Sequence, residues 1–179
     1  MAELILLLLL LSAPGRSGER AGITMPDTIQ LGEASLVLNG IGLRERFFLD
    51  QLVVGLYLPS RTTAAAKALD PAQPSSLRLH VLSKELPVED LKELLERGRP
   101  PQQRADLDPH FQRFEGWLLT LNKGDVLTLD YQPGSGTELS INGSARGQIE
   151  GPEFMQAIWR SMLGPDPISR SLKEQLLGD

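Results

Sequence analysis

Residues 38–59, LNGIGLRERFFLDQLVVGLYLP, constrain this chain more than any other stretch. The segment Leu52-Val53-Val54-Gly55-Leu56-Tyr57-Leu58 is apolar throughout. Its length and β-branched content fit a buried strand better than a short helix. Ahead of it stand Arg44 and Arg46, two residues apart. On an extended strand they share a face, with Phe48 next in line. Long cationic side chains beside a buried strand have two explanations. Their stems cover the core while the heads reach water, or a guanidinium waits at the mouth of an apolar pocket for an anion. The pattern leaves both open. Asn39-Gly40 reads as a turn leading into the stretch. Asp50-Gln51 reads as a bend that makes it a hairpin, and a bend there no longer guarantees that Arg44 and Leu52 share a face.

At 179 residues, one domain with a real core is expected. Residues 4–11 are an unbroken apolar run followed by Ser12-Ala13-Pro14-Gly15. The run is too short to span a bilayer. It reads as the h-region of a signal peptide over 1–17, cleaved between Ala13 and Ser17, which implies a periplasmic or secreted protein. Glu3 and the lack of Lys or Arg ahead of the run depart from that pattern. A misplaced start and a buried helix are the alternatives. The absence of cysteine fits export.

A polar lead-in over 16–25 precedes short strands over 28–31 and 35–38, joined at Gly32-Glu33. An alanine-rich helix over 62–69 ends at Asp70-Pro71. Residues 77–82 alternate as a strand, with Leu77, Leu79 and Val81 on one side. Pro87 opens a helix to Arg97 whose stripe is Val88, Leu91, Leu94 and Leu95. Polar residues 99–107 read as a loop. Asp108-Pro109 reads as the start of a helix with Phe111, Phe114, Trp117, Leu118 and Leu121 on its apolar side. A three-strand meander over 126–149 turns at Gly134-Ser135-Gly136 and Asn142-Gly143. Helices opening at Pro152 and Pro167 follow, the last with Ile168, Leu172 and Leu176 inward. This order predicts α+β, with helices layered on a largely antiparallel sheet.

Several chemistries are excluded. A net charge of −5 with no basic run argues against nucleic acid, and 5% aromatics supply no base-stacking surface. Without cysteine there is no disulfide, thiolate or cysteine zinc site. His80 and His110 lack ligand spacing, so neither a metal nor any other cofactor is expected. No nucleophile elbow, phosphate loop or zincin motif occurs.

The string Gly40-x-Gly42-x-Arg44, then aromatics, then Gly55-Leu56-Tyr57-Leu58, resembles the core strands of chalcone isomerase-like proteins. The C-terminal run DYQPGSGTELSINGSARGQIEGPEFMQAIWRSMLGPDPISRSLKEQLLG is similar to the bacterial exported branch of that family. The resemblance covers residues 23–178 and implies an open-faced β-sandwich of the chalcone isomerase type. It also implies a choice of function. Plant enzymes of the family isomerise chalcones to flavanones, while other members bind fatty acids without known catalysis. The enzymes' arginine corresponds to Arg44, with Arg46 as a rival. Their threonine position falls near Leu52 and their tyrosine position near Asp90. Cyclisation needs hydrogen-bond donors where negative charge develops. Leucine supplies none, and an ionised carboxylate repels that charge. The resemblance therefore implies a non-catalytic binder of a small amphipathic anion such as a fatty acid. Its ligand-binding candidates are Arg44, Arg46 and Tyr57. Tyr57 and Tyr131 read equally as core tyrosines, and Trp117 and Trp159 as core tryptophans. An isomerase or intramolecular lyase on another substrate, and a partner-binding module, are the alternatives.

Overall fold

The computed structural model describes residues 18–99, 101 and 104–178. The expected signal peptide and its cleavage window lie outside them. The strands are β1 (Gly18–Arg20), β2 (Ile23–Met25), β3 (Thr28–Leu31), β4 (Ala34–Arg46), β5 (Leu49–Leu58), β6 (Ser75–Val81), β7 (Glu85–Leu86), β8 (Leu121–Asn122), β9 (Val126–Gln132), β10 (Gly136–Ile141) and β11 (Ser144–Ile149). The helices are α1 (Ala65–Ala68), α2 (Val88–Glu96), α3 (Arg104–Glu115), α4 (Pro152–Leu163) and α5 (Arg170–Leu177). Seven strands form one sheet in the order β11-β10-β9-β6-β5-β4-β3. Every neighbouring pair in it is antiparallel. The predicted α+β layering is therefore the observed one.

The burial of β5 shows why its stretch over 52–58 is apolar at every position. Leu52, Val54, Leu56 and Leu58 enter the larger core, with Leu91, Phe111 and Trp159 from the helices. Val53 and Tyr57 enter a smaller core on the other face, with Met25, Ile29 and Leu36. Alternate side chains point to opposite faces, and here both faces are covered. Each such buried Val or Leu contributes about 1.5–3 kcal/mol. The lead-in to β3 is thus not a plain polar segment. From Gly18 it folds as the β1–β2 hairpin, turning at Ala21 and Gly22, both with positive φ.

Two positions on the β4–β5 hairpin depart from expectation. Asn39-Gly40 is no turn: it lies inside β4, where Leu38 pairs with Tyr57 and Gly40 with Leu56, leaving Asn39 out of the ladder. The freed Asn39 amide donates to Leu176 O at 2.7 Å and Thr62 O at 3.0 Å. Its Oδ1 accepts from Thr62 N at 2.7 Å. A Cβ on Gly40 would collide with the carbonyl oxygens of Gln175 and Leu176, so the pair is a docking seat for α5. The hairpin turn is at Phe47-Phe48, not Asp50-Gln51. Arg46 pairs with Leu49 across it, and φ is 51° and 64° at the two phenylalanines. Positive φ at both centres matches a type I′ turn, which usually carries Asn-Gly or Gly-Gly. Further in, Arg44 pairs with Leu52 and Glu45 with Asp50, so Gln51 is the extra residue. Arg44 consequently keeps the face of Leu52.

Helix α3 also differs. Of the expected loop over 99–107, residues 100, 102 and 103 lie outside the described set, and the helix has begun by Arg104. Pro109 lies inside the helix rather than at its first turn. The helix ends at Glu115, and Leu121 belongs to β8, paired with Leu86. A tertiary pairing has taken residues that the apolar spacing assigned to a helix. Helix α5 starts later than Pro167: Ser169 is its N-cap, accepting from Leu172 N, and Ile168 precedes it.

Asn39→Ala removes three hydrogen bonds and leaves the Leu176 carbonyl without this donor. The expected loss is about 2–3 kcal/mol in urea unfolding. A loss under about 0.5 kcal/mol would show that α5 is held by apolar contact alone.

Candidate functional site

The register of β4 against β5 places Arg44 on the helix-covered face, opposite Leu52. Arg44 is 6% exposed, and its Nη1 has no hydrogen-bond partner among the described residues. Burial pushes its guanidinium below the ordinary range. Glu93 opposes that shift, Arg46 adds to it and Asp90 opposes it. The chain thus keeps a poorly solvated cation at the edge of its larger core. Such a group costs several kcal/mol unless an anion meets it.

Arg46, two residues along the same face, is satisfied differently. Its Nη1 forms an ion pair with Asp90 Oδ1, and its Nη2 lies 3.9 Å from Glu93 Oε2. The hydrogen bond to Asp90 pushes its guanidinium up. Gln51 Nε2 also donates to Asp90 Oδ2, at 3.3 Å. Asp90 and Glu93 both come from α2, so this helix delivers the countercharge to the hairpin. A cleft of about 340 Å³ opens here. Arg46, Leu49, Gln51, Ser83 and Asp90 line it, while Arg44 is not among its lining and stands two residues along β4, opposite Leu52.

Tyr57 is not brought to the arginines. It belongs to the smaller core on the opposite face, where its hydroxyl donates to Pro26 O at 2.9 Å. Arg78 Cζ lies 5.3 Å from its ring centroid. Burial pushes its hydroxyl pKa up, with Arg78 opposing. Tyr131 is a core tyrosine whose hydroxyl donates to Pro71 O at 2.8 Å. Trp159 is fully buried and Trp117 packs at the margin of the same core. His80 stands on β6 opposite Val53 and Val126, and His110 lies in α3. Burial, then Arg78, pushes the His80 imidazole down. Among the described residues no group of three His, Cys, Asp or Glu could hold a metal.

The two positions matching the enzymes' donors have concrete fates. Leu52 is fully buried in the larger core. The Asp90 carboxylate is engaged by Arg46 and Gln51. Neither presents a donor to a substrate oxygen. Two residues escaped the sequence reading. Gln51 was visible only as half of a bend, and Glu93 only as an acidic residue off the apolar stripe of α2. The signal available was charge complementarity between a helix with Asp90 and Glu93 and a strand with Arg44 and Arg46.

The sequence profile of the chalcone isomerase-like family matches residues 17–178. The chain belongs to the chalcone isomerase-like family. Among solved structures it is similar to a fatty-acid binding protein of Arabidopsis thaliana, with a TM-score of 0.71 and 16% identity. The alignment covers 90% of this chain and 96% of that one. At that identity the likeness establishes the fold, the open-faced sandwich that the sequence resemblance implies. No curated protein sequence matches the chain.

Arg44→Met keeps the stem and removes the charge. In ligand-free protein it is expected to leave stability unchanged or raise it by about 1 kcal/mol. Thermal or urea unfolding checks this. A loss above about 1 kcal/mol would mean that the guanidinium is already fully compensated within the fold.

Proposed function

We propose that the protein binds a small amphipathic anion such as a fatty acid, without catalysis, and that Arg44 receives the carboxylate. The observation that carries this is the buried Arg44 guanidinium, whose Nη1 has no hydrogen-bond partner among the described residues. Its neighbour Arg46 already has Asp90. A guanidinium fork suits a carboxylate, and the fully buried Leu52, Leu91, Leu94 and Leu95 make the core on the same side of the sheet apolar. The Arabidopsis relative is a fatty-acid binding protein, which favours this ligand class. Non-catalytic binding is favoured by Leu52 and Asp90, which lack a free donor.

A charge-assisted contact of this kind contributes about 1.5–3 kcal/mol, or roughly one to two decades of affinity. Titration with medium- and long-chain fatty acids should therefore show a ten- to hundredfold loss for Arg44→Ala and a partial recovery for Arg44→Lys. Equal affinities in wild type, Arg44→Ala and Arg46→Ala would sink the clamp. A loss confined to Arg46→Ala would move it two residues along the strand, into the 340 Å³ cleft.

We propose further that the chain is exported. The support is the apolar run over 4–11 and the small residues after it. Among the described residues no helix is long and apolar enough to cross a membrane. N-terminal sequencing of the mature protein is expected to begin between Pro14 and Ser17. Retention of Met1 or Ala2 would overturn export by this leader.

A further inference from the structure

The end of the β4–β5 hairpin is built against two rules at once. Phe47, Phe48 and Leu49 are 81%, 99% and 71% exposed. Consecutive large apolar side chains at such exposure gain little from burial in the fold. Phe47 and Phe48 also hold φ of 51° and 64°. A bulky aromatic residue at positive φ is strained, and two in succession more so. Asn-Gly would form the same turn without strain and without apolar exposure. Inside the chain the two phenylalanines cost stability on both counts. What they gain lies outside it.

We infer that this tip inserts into the interfacial layer of a lipid bilayer. The shape favours a bilayer over a protein. A two-residue turn is convex, and a bilayer needs no matching groove. Aromatic side chains offer roughly 150–250 Å² each, so the tip presents well under the roughly 800 Å² that each partner contributes to a stable protein interface. The charges nearest the tip select the kind of membrane. Glu45 and Asp50 are exposed beside it, and the cation adjoining the turn on the hairpin, Arg46, is paired with Asp90. Among the described residues of the hairpin no basic cluster attracts anionic headgroups. Insertion is apolar, suits zwitterionic lipid and is weakened by anionic lipid at low salt. Arg46 leans its guanidinium over the Phe47 ring, at 5.3 Å from the centroid. The docked tip therefore brings the cleft lined by Arg46, Leu49 and Asp90 to the membrane surface. Docking goes beyond the fatty-acid reading and does not depend on it.

The test is flotation of the protein with phosphatidylcholine vesicles. Wild type is expected to float with them, and the double substitution Phe47→Asn with Phe48→Gly to lose at least about tenfold in partition. Its melting temperature should equal or exceed wild type, because Asn-Gly relieves the turn. Phe48→Trp should keep flotation. Its added emission, over the background of Trp117 and Trp159, should be quenched by brominated phosphatidylcholine. Several results would overturn the inference: wild type that stays free of vesicles, equal flotation of the double variant, or Phe48→Trp emission untouched by brominated lipid. Wild-type self-association that the double variant abolishes, without flotation, would overturn it in favour of a second copy of the chain. Fatty-acid titration of the double variant in vesicle-free buffer separates the two readings. Binding retained there with flotation lost supports both, and flotation without fatty-acid binding leaves only the docking standing.

Discussion

Burial of β5 on both faces is the constraint from which the rest of the structure follows. The strand's stretch over 52–58, apolar at every position, cannot border water on either side. The chain meets this with α2–α5 on one face and, on the other, a thinner cover of β1, β2 and the residues leading to β3. The two cores differ in kind. The helical one contains most of the aromatic mass, including Phe111 and Phe114 against Phe154 at 5.0 and 5.1 Å between centroids. The thin one has a single large aromatic group, Tyr57, fixed by its hydroxyl to Pro26. Tyr57 is therefore part of the scaffold beneath the sheet, on the far side from Arg44.

Arg44 is where this economy is deliberately incomplete. Every nearby group that would neutralise it has another claim: Asp90 answers Arg46 and Gln51, and Glu93 stands near both arginines. A methionine of similar reach would suit the core better. On the proposed function, keeping a charge in such a place gives the site a demand for an anion before any ligand arrives, which is preorganisation obtained at the expense of stability.

Sequence pattern read this fold well wherever neighbours in the chain set the outcome. The alternation of Leu77, Leu79 and Val81, the stripe of Leu91, Leu94 and Leu95, and the turn at Asn142-Gly143 all depend on local period or local backbone. It failed where partners distant in sequence decide. Asn39-Gly40 carries a strong turn signal, but the carbonyls of α5, more than a hundred residues later, use it as a seat. Phe47-Phe48 carries no turn signal and turns because the strands on either side are already paired. Leu121 continues a helical spacing and is taken by β7 instead. At the site, Arg44 and Arg46 were legible as a pair on one face. That one is compensated and the other is not depended on where α2 lands, which no window of sequence contains.

The two irregularities of the β4–β5 hairpin are equal and opposite. Asn39 is one residue too many on β4, and Gln51 is one too many on β5. The ladder slips by one step at the first and slips back at the second. Both displaced residues are polar, and both reach across to other elements: Asn39 to Thr62 and the end of α5, Gln51 to Asp90 and, through its carbonyl, to Leu82 and Ser83. Losing either one alone would remove its bulge and leave every other pair of the hairpin in register, whereas losing a paired residue would turn part of the strand inside out, sending core leucines to the wrong face. Asn39 and Gln51 are the two positions at which these strands can change length without disturbing the alternation of inward and outward side chains. In relatives of this chain, length changes within the two strands are therefore expected to fall at these two bulges, singly or together.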